Sequence, residues 1–83
     1  MATVIVRYWA AAKEAAGVAE ERSEAVTLAE LMTKITSDRE GLARVVSRSS
    51  FLVDGDPVGR RAHETIILPD GATVEVLPPF AGG

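Results

Sequence analysis

The sequence predicts a small α+β protein in which a mixed sheet curls around one main helix. Three segments support this prediction: a β-type segment at residues 3–9, an amphipathic helical segment at about 28–38, and a closing β-type segment at 73–77. Strands at both ends of a chain, with one long helix between them, favour a sheet packed on a helix. The 83 residues allow one domain, which we place at residues 1–78 and expect to be followed by a flexible tail at 79–83.

The first segment predicts a strand inside the sheet. Residues 3–9 are rich in β-branched and aromatic side chains, which are typical of strands. Alternation places Val4, Val6 and Tyr8 on one face of this strand. Because the other face also carries apolar residues, we expect a central and partly covered position. Tyr8 and Trp9 follow the strand pattern, so we assign both to packing rather than to a stacking surface.

The next segment predicts a short helix and then a marginal strand. Residues 10–16 are strong helix formers, and Gly17 follows where a left-handed cap is expected. Residues 20–26 are polar and irregular, and we expect them to form a strand at or near an edge that pairs back on the first strand. Its acidic residues are expected to be solvated: Glu20, Glu21 and Glu24.

The main helix has a clear start signal. Thr27 and Glu30 match a capping box, in which the threonine hydroxyl accepts from the Glu30 N–H and the glutamate reaches back. The apolar residues that follow recur at helical spacing and should form the main core: Leu28, Leu31, Met32 and Ile35. If the first and last strands are parallel neighbours, the sheet centre against this helix consists of Val4, Val6, Val74 and Val76.

The second half of the chain predicts short elements separated by turns. Apolar residues within 42–46 indicate a further helical turn, and residues 51–53 indicate a short strand. Asp54-Gly55 is a strong hairpin signal, and Pro57 indicates an edge or the start of a strand. The final strand at 73–77 ends at a pair of prolines.

Composition excludes several classes of protein. The absence of cysteine excludes a disulfide framework, a thiolate metal site and a catalytic thiol. The net charge of −3, without a basic stripe, argues against nucleic-acid binding. No signal peptide or apolar run of about 20 residues is visible, so we expect a cytoplasmic protein. We expect no bound metal, because His63 lies alone in a polar loop, while Asp54 and Asp56 suit turn chemistry.

The last residues carry the strongest functional signal. The final strand is followed by Pro78-Pro79 and then by Phe80-Ala81-Gly82-Gly83. The proline pair stiffens the exit from the sheet. Two glycines can pass through a narrow channel that any Cβ atom would block. We therefore expect Gly83 to be presented as a carboxylate for chemical activation, with a frayed and inactive tail as the alternative.

Activation of a carboxylate can place sulfur on a chain that has no cysteine. A carboxylate is a poor electrophile because it is anionic and resonance-stabilised. Transfer to AMP gives an acyl-adenylate with a good leaving group. A sulfur nucleophile can then displace AMP and leave a terminal thiocarboxylate.

Two segments resemble the small subunit of molybdopterin synthase, in the MoaD/ThiS family of ubiquitin-like sulfur carriers. Residues 6–17 are similar to the opening strand and short helix of that family, and residues 74–83 are similar to its PPxxGG ending. Length and element order match over nearly the whole chain. The sequence departs at Lys13, where the family often has arginine, and at Trp9, where it often has phenylalanine.

The resemblance implies a ubiquitin-like β-grasp fold and a subunit that is not an enzyme alone. A ubiquitin-activating-type adenylyltransferase would use ATP to adenylate Gly83, and the carrier itself would bind no cofactor. The tail, with Gly82 and Ala81 threading a channel, would enter the large subunit of molybdopterin synthase in a heterotetramer. There the thiocarboxylate would donate sulfur to a pterin precursor in molybdenum cofactor biosynthesis.

A partner-binding surface is predicted beside the tail. With the valines of the last strand in the core, Leu77 faces outward, and Phe80 has no obvious core to join. Together with Pro57 they would form an apolar docking patch, and the resemblance adds Lys13. The expected partner-binding residues are Lys13, Pro57, Leu77, Pro78, Pro79 and Phe80.

Three alternatives remain open at this point. The chain can be a sulfur carrier for thiamine or another thio-compound. It can instead be a ubiquitin-like modifier that is joined to lysines through Gly83. The third alternative is a plain interaction domain whose tail has no chemistry.

Overall fold

A computed structural model describes residues 2–79. Five strands form one mixed sheet in the order β2-β1-β5-β3-β4, which confirms the predicted α+β class. A short 3-10 turn at His63–Thr65 precedes the last strand. In chain order the elements are β1 (Ala2–Tyr8), α1 (Ala10–Ala16), β2 (Glu20–Ala25), α2 (Leu28–Thr36), α3 (Glu40–Val46), β3 (Ser50–Val53), β4 (Asp56–Pro57) and β5 (Thr73–Leu77).

The centre of the sheet is the parallel pair of β1 and β5. Val6 lies opposite Val74, and Tyr8 lies opposite Val76. The valines on the helix side of both strands are fully buried, as their alternation with polar residues predicts. The predicted sheet centre is therefore confirmed.

The main helix, α2, begins as its capping box predicts. The Oγ1 atom of Thr27 accepts a hydrogen bond from the Glu30 N–H at 3.2 Å, while Glu30 Oε1 accepts from the Val26 N–H at 3.3 Å. The helix ends at Thr36, two residues before the predicted end, because Ser37 is extended and Asp38 has a positive φ of 57°. Its inward stripe is buried: Leu28, Leu31 and Ile35.

The two margins of the sheet also match the sequence. β2 is an edge strand that pairs antiparallel with β1, as expected. Asp54 and Gly55 form the β3–β4 turn, with φ values of 49° and 85°. Positive φ at both central residues is what a type I′ hairpin turn requires. Pro57 lies in the opposite edge strand, β4, where its missing N–H costs no ladder bond.

The sheet has two unequal faces. Buried side chains of all three helices join the inward residues of the strands in a single core. Residues opposite one another in a ladder share a face, so the strand register defines the other side, here termed the outer face. In β1, β3, β4 and β5 the outer face consists of Thr3, Ile5, Arg7, Ser50, Leu52, Pro57, Thr73, Glu75 and Leu77, and none of these residues is buried.

Candidate functional site at the tail end of the sheet

The tail end is the end of the sheet at which β5 leads into the two prolines. β1 is parallel to β5 and stops at the same end. Antiparallel pairing places Ser50, the first residue of β3, opposite Leu77. The Trp9 N–H donates to the Val76 carbonyl at 3.3 Å, so the start of the β1–β2 connection is also fixed here. The candidate site is thus built from several connections that converge around one exit point.

The predicted tail residues are only partly within the structure. Pro78 is half-buried and Pro79 is exposed. The residues that carry the proposed chemistry, Phe80, Ala81, Gly82 and Gly83, lie outside the described residues. The structure therefore gives the position from which the tail starts.

Leu77 and Pro57 share the outer face but are not neighbours. Leu77 is half-buried at the end of β5, and Pro57 is exposed on the edge strand β4. Pro57 pairs with Leu52, which in turn pairs with Glu75. Pro57 therefore lies two strands away from Leu77 and level with Glu75, two residues further from the tail end. A docking surface that includes both residues also includes Leu52 and Glu75.

Trp9 corrects one prediction. Its side chain is 42% exposed rather than packed within the fold, because it follows the outer-face alternation of β1. The Arg7 guanidinium carbon lies 5.0 Å from the centroid of the Trp9 ring, which is cation–π geometry. Arg7 Nε also lies 3.9 Å from Glu20 Oε1. Trp9 is thus a rigid aromatic surface residue held beside the tail end.

Lys13 lies next to this aromatic surface. It is exposed on α1 and lines a shallow cleft of about 410 Å³ together with Arg7, Trp9 and Glu20. The walls of this cleft combine an aromatic ring with two cations, a combination that suits a protein partner.

Glu21 corrects a second prediction. It is half-buried rather than solvated, since it is on the inward side of β2. The buried Tyr8 hydroxyl donates to Glu21 Oε2. Arg39 binds the same carboxylate with both terminal nitrogens, at 2.6 Å and 3.1 Å. This triad ties β1 and β2 to the segment between α2 and α3.

The triad shifts the protonation equilibria of its members. Burial, followed by the hydrogen bond to Glu21, raises the pKa of Tyr8 well above its ordinary value. The hydrogen bonds from Arg39 hold the pKa of Glu21 below its usual range, against the opposing effect of burial. The three groups satisfy one another, so their arrangement indicates a structural role rather than acid–base catalysis.

A second cleft lies on the other side of the β5 end. It measures about 440 Å³, and its lining includes Ser49, Ser50 and Gly59. His63 is half-buried at this cleft, with its ring edge-to-face against Phe51 at 5.2 Å. His63, expected to be a solvent-exposed loop residue, is thus partly covered, and the contact that covers it is aromatic packing.

Two further structural tests bear on chemistry and location. Residues 2–79 contain no group of three or more His, Cys, Asp or Glu side chains placed to hold a metal ion. Within the same residues, no helix is both long and apolar enough to cross a membrane.

Sequence reasoning missed two arginines at this site. Arg7 stacks on Trp9, and this contact was open to prediction because residues i and i+2 of a strand share a face. Arg39 binds Glu21 across 18 positions of sequence. No local pattern marks that pair, since it depends on how the α2–α3 connection packs against β2.

Comparison with known proteins gives a consistent family. A model described as the ThiS family matches residues 6–83. No curated protein matches the chain. Among solved structures, the small archaeal modifier protein 1 from Methanosarcina acetivorans is similar with a TM-score of 0.86 and 23% identity, over 100% of this chain and 98% of that one.

Two other similar structures are subunits of molybdopterin-converting factors. The putative subunit 1 from Pyrococcus furiosus gives a TM-score of 0.81 and 26% identity, over 96% of this chain and 100% of that one. The matching chain in the complex of subunits 1 and 2 from Helicobacter pylori 26695 gives a TM-score of 0.71 and 27% identity, over 98% of this chain and 99% of that one. These likenesses confirm the predicted ubiquitin-like β-grasp fold.

Proposed function

Because the chain belongs to the ThiS family, we propose that it is a sulfur carrier that bears sulfur as a thiocarboxylate on Gly83. The observation that carries this proposal is the extent of the family match, which runs through both final glycines. The fold supports it as well. The tail leaves from a central strand, next to exposed surfaces that a partner can contact.

We further propose that the acceptor is a pterin precursor and that the chain is the small subunit of molybdopterin synthase. The two similar structures named as molybdopterin-converting factor subunit 1 are 26% and 27% identical to this chain. One of them was solved in complex with its subunit 2. By analogy, the partner of this chain is a large subunit that supplies the catalytic groups and receives the tail.

The proposed chemistry divides the work between the tail and its partners. A carboxylate oxygen of Gly83 attacks the α-phosphorus of ATP on an adenylyltransferase, and pyrophosphate leaves. A sulfur nucleophile then displaces AMP and leaves the thiocarboxylate. On the large subunit, this sulfur attacks the pterin precursor, and water then cleaves the bond between the Gly83 carbonyl and the sulfur, which leaves the sulfur on the precursor and returns the carrier to its carboxylate form. The carrier contributes position, and it contributes no acid or base of its own.

The proposed contacts of this chain are those around the tail end. Leu77, Pro79 and Phe80 form the apolar approach to the tail, and Trp9 with Lys13 extends it onto α1. Gly82 and Ala81 are small enough to thread a narrow channel. Docking through the outer face does not disturb the core, because no buried residue lies on that face.

The decisive experiment is the intact mass of the protein after incubation with ATP, an adenylyltransferase and a sulfur source. A mass gain equal to the replacement of one oxygen by sulfur, located at Gly83, is the expected result. No gain, with an adenylyltransferase that activates a known carrier in the same assay, would falsify the carrier function. Isopeptide conjugates to lysines would instead support a protein modifier.

The acceptor is tested in a second step. The thiocarboxylated carrier is mixed with a large subunit of molybdopterin synthase and the pterin precursor, and dithiolene product is measured. Product formation with return of the carrier to its original mass is expected. A loaded carrier that transfers sulfur only to a thiazole-forming system would overturn the molybdopterin assignment and leave the carrier function intact.

Deleting Gly83 is the sharpest variant for this proposal. We expect complete loss of sulfur loading with an unchanged thermal unfolding curve, since the deletion lies beyond all described core residues. The deletion leaves a carboxylate on Gly82, one residue short of its normal position. Gly82→Ala is the comparison variant that keeps the full length of the tail and adds one Cβ. It should slow loading by about a hundredfold if the tail must thread a narrow channel. Unfolding of the deletion variant would show instead that the tail is part of the fold.

A further inference from the structure

The connections at the two ends of the sheet carry opposite charge. At the tail end, residues 9–19, 47–49 and 59–65 contain four cations, Lys13, Arg48, Arg60 and Arg61, and two anions, Glu14 and Glu64. At the far end, residues 26–27, 54–55 and 69–72 contain two anions, Asp54 and Asp70, and no cation. The whole chain has a net charge of −3. The tail therefore leaves an acidic protein from its positively charged end.

Three of the four cations at the tail end make no side-chain hydrogen bond or ion pair within residues 2–79. Arg61 is the exception, because its Nε and Nη2 donate to the carbonyls of Val58 at 3.0 Å and Pro57 at 2.9 Å. Lys13, Arg48 and Arg60 are exposed, and none of them makes a side-chain hydrogen bond or an ion pair to another described residue. These three residues are termed the tail-end cations.

The tail-end cations lie on or next to the two clefts that flank the end of β5. Arg48 lies between two residues that line the 440 Å³ cleft, Ser47 and Ser49, and Arg60 follows a third, Gly59. Lys13 lines the other cleft, on the opposite side of the β5 end. A surface that meets the tail end therefore meets positive charge on both sides of the entering chain.

The far-end anions differ because each has a bond that stabilises the fold. Asp54 Oδ1 accepts from the Thr73 N–H at 2.9 Å, and Asp70 Oδ1 accepts from the Thr3 N–H at 2.9 Å. Three unpaired cations around one exit, by contrast, repel one another and give the isolated fold no benefit. Their arrangement is explained if a partner supplies the complementary charge.

We propose that the adenylyltransferase that receives the tail for activation has an acidic rim around its entrance, and that the tail-end cations steer the carrier into it. The proposal rests on the proposed function in one respect, that a partner receives the tail. Complementary charge fixes the orientation of an encounter and raises its rate more than it raises final affinity. The net charge of −3 would repel nucleic acid, whose phosphates are evenly charged along its length and would not orient the carrier.

The test compares two arginine reversals that change the net charge equally. Arg60→Glu removes a tail-end cation. Arg22→Glu is the matched control, an exposed arginine of β2 that lies opposite Ile5, in the middle of β1 and away from both clefts at the tail end. The measured quantity is kcat/KM of the adenylyltransferase for each carrier, at low and at high salt. Thermal unfolding checks that both variants fold.

Steering predicts a specific pattern of rates. Arg60→Glu should lower kcat/KM by about tenfold at low salt, and the deficit should shrink at high salt, where the charges are screened. Arg22→Glu should stay within about twofold of the unmodified protein. Equal effects of both reversals on kcat/KM, or a deficit that salt does not change, would overturn the steering proposal. If sulfur is still loaded normally in that case, the proposed carrier function stands.

A second measurement does not depend on sulfur chemistry. Poly-L-glutamate is titrated into the isotopically labelled protein at low salt, and a short DNA duplex is titrated in parallel. We expect poly-L-glutamate to shift the amide signals of residues 13, 48 and 60, and Arg60→Glu to weaken this response. No response at these residues, or tighter binding of the duplex than of poly-L-glutamate, contradicts an acidic protein partner even if loading has failed for other reasons.

Discussion

The two faces of the sheet come from the same strands but have different environments. On the inner face, Val6 and Val74 are fully buried against the helices. On the outer face, Leu52 and Leu77 are only half-buried, and Trp9 beyond them is 42% exposed. Both faces carry apolar side chains, so hydrophobicity alone does not separate them. The two faces differ because the helices pack on the inner face only and leave the outer face partly exposed to solvent.

This difference separates stability from docking. The inner face holds the buried apolar area that a chain of 83 residues needs to fold. The outer face and the tail end retain apolar and charged groups that the fold does not use. A small carrier can in this way offer a large contact surface to a partner without losing its core.

The largest expected contrast is between two leucines on opposite faces. Leu31→Ala should cost about 2–5 kcal/mol, because it leaves a cavity beneath the sheet. That is a large part of the roughly 4–12 kcal/mol expected for a chain of this length. Leu77→Ala should cost less than about 1 kcal/mol of stability, since it removes a half-buried side chain. Urea unfolding measures both.

In a binding assay we expect the opposite order for these two substitutions: Leu77→Ala should weaken binding more than Leu31→Ala. Titration calorimetry with the large subunit should show weaker binding of Leu77→Ala than of the unmodified protein. Equal destabilisation by the two substitutions would mean that the outer face is part of the core. Unchanged binding of Leu77→Ala would remove Leu77 from the docking surface.

A smaller effect is expected from the triad that ties β1 and β2 to the segment between α2 and α3. Arg39→Met removes the bidentate partner of Glu21 and should cost about 1–2 kcal/mol, discounted because both side chains are partly exposed. Arg22→Met is the control, an exposed arginine without a described ion pair, and should stay within about 0.5 kcal/mol. Equal losses in urea unfolding would show that the bidentate contact adds no stability.

The smallest effect is a change in the pH dependence of stability. The pKa of Tyr8 is higher in the folded than in the unfolded chain, so its contribution is complete below about pH 10 and is lost as the pH rises beyond it. Between about pH 9 and 12, the melting temperature should fall more steeply for the unmodified protein than for Tyr8→Phe. Parallel curves would contradict a buried, hydrogen-bonded hydroxyl.

The acid side has the opposite sign. The pKa of Glu21 is lowered by Arg39, so its contribution is complete above about pH 4.3, the ordinary value for glutamate, and is lost as the pH falls through the folded-state pKa. Arg39→Met should reduce this acid sensitivity. The two limbs together test whether the three residues titrate as one unit.

Local signals allowed much of the fold to be predicted. The Thr27–Glu30 capping box located the start of α2, and Asp54-Gly55 located the β3–β4 turn. Alternation in β1 and β5 located the centre of the sheet. Each of these signals acts over a few residues, and in each the favoured backbone conformation agrees with the final packing.

Predictions failed where the outcome depends on long-range packing. Glu21 was expected in solvent, and it is half-buried because Arg39 and Tyr8 meet there from distant positions. Trp9 was expected to pack within the fold, and it is 42% exposed because no helix covers its side of the sheet. The role of Gly83 stays a prediction, since its chemistry lies in a partner rather than in the neighbouring residues.

The parallel pairing of β1 with β5 has a practical consequence for attaching labels. β1 starts at the far end of the sheet, whereas β5 stops at the tail end. A tag or fluorophore joined ahead of Ala2 would therefore stand at the pole opposite Pro79. Immobilising or tracking the protein through that end would leave the end from which the tail starts free, so the proposed transfer cycle could be followed on single molecules.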